Sequence, residues 1–303
     1  MVEYQKIGFV ILHYNAIKET MDCVKSIKDH IDAKDYHIVI VDNASPNGSG
    51  KNLAEDYEKD ALVTVILAKE NLGFAKGNNL GFDYAVNKEN CNFLCVMNND
   101  TLVVQDDFFA TILEEYHKSG FGLMGPKILL NKGKVQPLTH KMPGIAFFEN
   151  EIRIHKRERN LRKKHLYSFY LFGRKVKSFF LLISGHRRVS RFKPYLKLDG
   201  LDERRENVVL HGCCLVFSPK YIESYENGFF PDTFLYKEEE LLYLRCKRKH
   251  LLTVYNPKLK IRHLEDVATD SVSKRKKEKQ MLWLDHQIRS LEILVRELRK
   301  ERD

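Results

Sequence analysis

Seven groups of residues in this sequence could do chemistry. Asn98-Asn99-Asp100 sets one carboxylate beside two amides, oxygen ligands of the kind that hold Mg2+ or Mn2+. The same three residues also compose an ordinary polar turn. Glu238-Glu239-Glu240 offers a carboxylate that could take the proton of an attacking hydroxyl. As a bare pattern it equally suits a solvated helix start, favoured by the helix dipole. Three further clusters carry groups able to bind something polar: His13-Tyr14-Asn15, Asp42-Asn43, and the segment from Asn71 through Lys76 to Asn78. Last come His211-Gly212, where a glycine lets backbone approach a ligand, and His263, a lone histidine closing a strand-like piece at 259–263.

Most of these groups fall where an apolar run stops. Residues 7–12, 38–41, 63–67 and 93–97 are short β-rich runs, the pattern of strands buried on both faces. Helix-like stretches alternate with them, the first marked by Met21, Val24, Ile27, Lys28 and Ile31 at helical spacing. The rhythm predicts an α/β fold, a doubly wound Rossmann-like sheet. Parallel strands bring their polar ends to one edge, where open α/β sheets bind ligands. No Gly-x-Gly-x-x-Gly follows the first run, and Gly48-Ser49-Gly50-Lys51 does not complete a P-loop, so dinucleotide oxidoreductases and P-loop NTPases are set aside.

The chain has 303 residues, 43% apolar and 30% charged, a globular rather than a disordered composition. No run of 18 apolar residues and no signal-like apolar core at the start are found, and the six cysteines form no Cys-x-x-Cys pair. A cytoplasmic location is the expectation. The net charge of +10 is uneven: residues 151–198 hold 15 Lys or Arg against two Glu, so the rest of the chain carries about −3.

The order of Val10-Ile-Leu-His-Tyr-Asn15, Val39-Ile-Val-Asp42-Asn-Ala-Ser45, Asn71-Leu-Gly-Phe-Ala-Lys-Gly-Asn-Asn79 and Met97-Asn-Asn-Asp-Thr101 resembles the family 2 glycosyltransferases with the GT-A fold. It is most similar to the bacterial rhamnosyltransferase-like branch that builds surface polysaccharides. The resemblance implies a mixed sheet and an enzyme that is a metal-dependent hexosyl- or deoxyhexosyltransferase. It implies that Asp42 and the Tyr14-Asn15 turn hold the nucleotide, with Asn43 beside them. Asn71, Lys76 and Asn78 would line the sugar-nucleotide pocket. Asn98-Asn99-Asp100 would stand for the Asp-x-Asp metal motif with its first carboxylate replaced by an amide. Phe234-Leu-Tyr-Lys-Glu-Glu-Glu-Leu-Leu-Tyr-Leu-Arg245 resembles the family's Phe-Met-Tyr-Gly-Glu-Asp-x-Asp-Leu-x-Leu-Arg. Aligned so, Glu238 and Glu239 are the catalytic pair, Glu239 the general base, and Leu241 replaces a later aspartate. His263 would reach the metal or diphosphate, and Gly212 the donor.

The implied reaction is an inverting transfer from a nucleoside-diphosphate sugar, UDP- or dTDP-linked, to a hydroxyl of a glycan or lipid-linked acceptor, with Mn2+ or Mg2+ as cofactor. A degenerate GT-A protein that binds sugar nucleotide or scaffolds an assembly complex is the alternative, favoured by Asn98 and Leu241. A nucleotidyltransferase would need a glycine-rich basic loop after the first strand, which His13-Tyr14-Asn15 is not. The domain reading is a GT-A domain over 1–265, with a basic insertion at 131–206, and a helical extension at 266–303. Within 161–192, Leu166, Phe169, Phe172, Val176, Phe179, Phe180 and Ile183 recur among Lys and Arg. That pattern fits a peripheral helix at the inner face of a membrane, or a lid on the catalytic domain. No nucleic-acid-binding module accompanies the charge. Met281, Leu284, Ile288, Leu291, Val295 and Leu298 step by 3 and 4, a seam for docking onto the parent domain or for a homodimer through 281–298.

Overall fold

In the computed structural model, which describes residues 5–136, 142–172, 201–264 and 276–301, the four apolar runs become strands. They are β1 (Ile7–His13), β2 (Tyr36–Asp42), β3 (Val63–Leu67) and β4 (Phe93–Asn98), all parallel in the order β3-β2-β1-β4. Helices α1 (Ile17–His30), α2 (Ser49–Asp56) and α3 (Gly73–Asn87) connect them. Alternate residues of each strand face opposite sides, and both sides are apolar. Phe9, Ile11, Ile38 and Ile40 enter one core layer, while Val10, Val39 and Val41 enter the other.

The sheet then extends with strands of both directions. β5 (Thr101–Val103), α4 (Phe108–Ser119), β6 (Leu123–Leu129), β7 (Arg205–Glu206), β8 (Cys214–Phe217) and β9 (Thr253–His263) complete a nine-stranded sheet in the order β3-β2-β1-β4-β8-β6-β9-β5, with β7 on β9. β8 runs antiparallel to both β4 and β6. The run at 208–217 reads in the sequence as a strand broken at His211-Gly212, and in the structure only Cys214–Phe217 of it is strand. At the break, the Gly212 N–H donates to the Glu239 carboxylate.

Four more helices are α5 (Ile145–Lys163), α6 (Pro219–Ser224), α7 (Glu238–Arg248) and α8 (Lys276–Arg299); residues 167–172 are also helical. The chain forms two compact units, Met1–Met142 with Lys197–Val272, and Pro143–Leu196 with Ser273–Asp303. Of the insertion read at 131–206 and the tail read at 266–303, the parts at 143–196 and 273–303 thus belong to one unit. Ion pairs Arg299–Glu149 at 2.7 Å, Lys156–Glu292 at 2.6 Å and Arg159–Asp285 at 2.9 Å set α5 antiparallel to α8. Leu284, Ile288, Leu291 and Val295 are buried within the chain. The seam, read for docking onto the parent domain or for a homodimer, thus has these residues covered within the chain, because an apolar stripe gains by burial wherever it is first met. Val176, Phe179, Phe180 and Ile183 lie outside the described residues.

One close approach ties the start of α3 to the loop before α7. Gly73 has φ +75°, and a Cβ there would lie 2.3 Å from the Phe234 carbonyl oxygen, which accepts the Phe74 N–H at 2.7 Å. Only glycine allows both the left-handed backbone and the contact. We expect Gly73→Ala to destabilise the fold by about 3 kcal/mol, from left-handed strain plus overpacking. Thermal unfolding measures it, and an unchanged Tm would mean that the two loops do not meet.

Candidate functional site

Register builds the site. His13 lies opposite Asp42 and Leu12 opposite Asn98, so β1, β2 and β4 end level. β8 enters beside β4, where the Cys213 carbonyl accepts the Asn98 N–H at 2.9 Å and the Thr101 hydroxyl at 3.4 Å. β5 pairs with the end of β9, Thr101 opposite His263. Asp100, Gly212 and His263, far apart in sequence, are thereby gathered at one edge.

Asp100 is buried, with Oδ1 3.2 Å from His263 Nε2. That oxygen and His263 Nδ1 have no hydrogen-bond partner among the described residues. A carboxylate and an imidazole left so are the chemistry of a divalent-cation site. Among the described residues no three His, Cys, Asp or Glu side chains come together to hold a metal. The protein would then supply two ligands and leave the other positions to phosphate oxygens and water, an arrangement Mg2+ accepts. The residues fit Mn2+ or Mg2+ on that basis.

Asn99 turns the other way. Its amide donates to the Thr20 hydroxyl at 3.1 Å and to the Ala16 carbonyl at 3.4 Å, anchoring α1. The same hydroxyl meets His13 Nδ1 at 2.7 Å, and His13 Nε2 meets the Ser49 hydroxyl at 2.8 Å. Burial holds the His13 imidazole below its usual pKa, so it is a neutral tie between α1 and α2. Of the three motif residues Asp100 is the one beside His263; Asn98, the last residue of β4, is only partly buried.

Glu239 is the second residue of α7. Its Oε1 accepts the Gly212 N–H at 2.5 Å and lies 4.0 Å from His211 Nδ1. Burial, then the charge of Glu240, raises its pKa to about 8. Burial likewise raises Glu238 to about 7. Glu238 and Glu240 are only 7% and 3% exposed, so this is no solvated helix start. The turn before α7 is strained: Tyr236 and Lys237 have φ +75° and +70°. Where the family pattern carries glycine this chain has Lys237, whose ammonium meets Glu240 at 2.9 Å.

Of the His211-Gly212 pair the sequence reading gives a site role to Gly212 alone and none to His211. It is held between Gln136, 2.8 Å from Nε2, and the Cys213 N–H, which donates to Nδ1 at 3.2 Å. Burial and His263 lower its pKa to about 4, so it faces Glu239 uncharged. Its rank as a site residue had no local signal, because Gln136, Glu239 and His263 all come from elsewhere in the chain.

At the end of β2, Asp42 is buried and accepts the Ser45 hydroxyl and N–H. A Cβ on Gly50 would overlap its carboxylate. Asn15 has φ +64°, donates its N–H to the Ser45 hydroxyl at 2.9 Å, and keeps a buried Oδ1 without a partner among the described residues. Tyr14 is half-buried beside it and Lys76 is exposed. Asn78 donates to the Phe74 carbonyl and also keeps a buried, unpartnered Oδ1. Asn43 departs from the ligand reading. Both its amide hydrogens go to Asn71 and the Gly73 carbonyl, at 3.1 Å each, and its oxygen accepts the Leu72 N–H at 2.8 Å. It clasps the two loops together.

Fold and site define an α/β protein whose polar, carboxylate-bearing groups meet at the carboxyl edge of the parallel strands of a mixed sheet, the place where open α/β sheets bind ligands. Residues 9–181, more than half of the chain, match the model of Glycosyl transferase family 2, and the chain belongs to that family. Gly212, Glu239 and His263 lie beyond the matched residues. The chain is also similar to crystal structures of S. aureus TarS. The 1–349 form is 11% identical, with 84% of this chain and 60% of that chain covered and a TM-score of 0.48. Its complexes with UDP-GlcNAc and UDP are 16% and 17% identical, cover 46% of this chain and 38% and 39% of theirs, and give a TM-score of 0.37. The chain thus spans less than two thirds of the length of each of these structures. No curated protein matches it.

Raised carboxyl pKa values are costs to folding. Glu239 moves from 4.5 to about 8, so the folded state holds its proton more tightly than the unfolded chain does. Stability is complete below pH 4.5 and is lost as pH rises through about 8. We expect Glu239→Gln to leave Tm nearly unchanged at about pH 4.5 and to raise stability by up to ~4 kcal/mol at about pH 9. An equal Tm for both proteins at the higher pH would mean that the carboxylate is solvated.

Proposed function

We propose that this protein transfers a sugar from a nucleoside-diphosphate donor to a hydroxyl of a surface-glycan acceptor, with inversion at the anomeric carbon. One observation carries the reading. A carboxylate of raised pKa, fixed on a backbone N–H of the β8 approach, stands at the same sheet edge as the Asp100–His263 pair. The donor diphosphate is assigned to the Asp100–His263 end, and the nucleoside to the Asp42 and Tyr14-Asn15 turns. Glu239 takes the proton of the acceptor hydroxyl as its oxygen attacks the anomeric carbon. The bond from that carbon to the diphosphate oxygen breaks, and the diphosphate leaves with the electron pair. Mn2+ or Mg2+, when bound, neutralises charge on the diphosphate. Asp100 and His263 would hold that ion, and Asn15 and Asn78 would offer their amide oxygens to donor hydroxyls. No acid for the leaving group is required, in contrast to glycosidases, where a carboxyl protonates the departing oxygen.

UDP- and dTDP-hexoses or deoxyhexoses are the donors we assign, and a lipid-linked glycan at the inner membrane face the acceptor. Among the described residues no helix is long and apolar enough to cross a membrane. A second reading, donor binding without turnover, is favoured by Asn98 at a carboxylate position and by Leu241, which is 2% exposed.

The test is donor cleavage by the purified chain with Mn2+, over a panel of UDP-, dTDP- and GDP-sugars, with binding followed in parallel. Metal-dependent release of one nucleoside diphosphate is expected, abolished by Asp100→Ala and reduced about 10²- to 10⁴-fold by Glu239→Gln, the range for loss of a general base. Donor binding without release, in the presence of glycan acceptors, would favour the second reading. No binding of any sugar nucleotide would sink both.

The pH dependence follows from the same carboxylate. Glu239 acts as its anion, so kcat/KM is expected to climb with pH and level off above about 8. A profile already flat from pH 5 to 8 would remove Glu239 as the base.

A further inference from the structure

We infer that the helical turn at 167–172, with the basic end of α5, is a docking knuckle for an anionic lipid surface. The inference does not depend on the transferase reading. The turn after α5 sends the chain into a short helix whose two sides differ. Tyr167 and Tyr170, one turn apart, face back. The Arg162 guanidinium lies 3.9 Å from the Tyr167 ring centre, and that of Arg157 lies 4.7 Å from that of Tyr170. These cation–π contacts fix the helix on α5 and leave both rings half-buried. Phe169 and Phe172, also one turn apart, fall on the opposite side. They are 75% and 69% exposed, the most exposed large apolar side chains among the described residues, with Leu166 beside them at 46%.

Two exposed phenylalanines on one side of one turn are costly in water, and a monomer gains nothing by them. Their surroundings name the occupant. Between residues 153 and 164 the chain has seven Lys or Arg against one Glu, and Arg153, Lys156, Arg157, Lys163 and Lys164 are exposed. Aromatic rings that enter the acyl boundary, flanked by ammonium and guanidinium groups at headgroup level, are the composition of an interfacial anchor. A negative bilayer surface attracts each such cation. Lys163 and Lys164 stand immediately before Leu166, so both signals reach the surface together.

The full-length chain is to be mixed with vesicles of phosphatidylcholine alone and with one third phosphatidylglycerol, and bound protein measured by sedimentation. Binding to the anionic vesicles is expected, weakened by salt, and at least tenfold weaker for the Phe169→Ser, Phe172→Ser double variant at unchanged Tm. In a second measurement Phe169→Trp adds a fluorophore to the single native Trp283, and its emission is expected to shift to the blue with anionic vesicles only. Failure of the wild type to bind, equal binding to neutral vesicles, full binding by the double variant, or unshifted Trp emission on bound vesicles would each overturn the inference. The first of these outcomes would leave an acidic protein as the partner to seek.

Discussion

Four parallel strands end level, and everything at the site hangs on that register. A buried strand cannot change its pairing by one residue without turning its apolar side chains to the wrong face. β1, β2 and β4 are buried on both faces, so their ends are fixed by the core beneath them. Asp42 and Asn98 stop where they do because Phe9, Ile11, Ile38, Cys95 and Met97 are packed where they are. The cleft is the rim of a core, and its precision is inherited from packing.

The second half of the site is added across that rim by antiparallel pairings. β8 pairs with β4 and brings Gly212; the end of β9 pairs with β5 and brings His263. α7 contributes Glu239 by a single bond to backbone. This part is held at a cost. Three carboxylates begin α7, two of them nearly inaccessible to water, and two consecutive non-glycine residues before them have left-handed backbone. Burial that raises a carboxyl pKa weakens the fold at neutral pH and makes the group a stronger proton acceptor once ionised. Strain and unpaired polar atoms gather here, as they do at sites shaped for binding.

The second unit follows a different logic. α5 and α8 are long, heavily charged helices joined by ion pairs on their exposed sides, while an apolar seam supplies the burial. Exposed pairs of this kind contribute little energy and mainly select the antiparallel register. Beyond α5 the chain displays aromatic side chains that the α5–α8 pairing does not use.

How much of this was legible beforehand depends on range. Alternating apolar runs and helical periodicity marked out all four parallel strands, because buried strands and amphipathic helices leave local signatures. The polar residues at their ends, Asp42 and Asp100 among them, were visible as places where those runs stop. The sequence motifs also pointed to Glu239 and His263. Yet it took the pairing of β5 with β9 and of β4 with β8 to put Asp100 beside His263 and to bring Gly212 to the same edge. That Asn43 and Asn99 spend their amides inside the protein, that His211 is a neutral member of the cluster, and that the tail seam is covered within the chain, were decided by tertiary structure alone. Each is a question of which partner is nearest in space. Spacing along a chain carries that information only over a few residues, whereas hydrogen bonds and burial are satisfied by whatever the fold brings within reach.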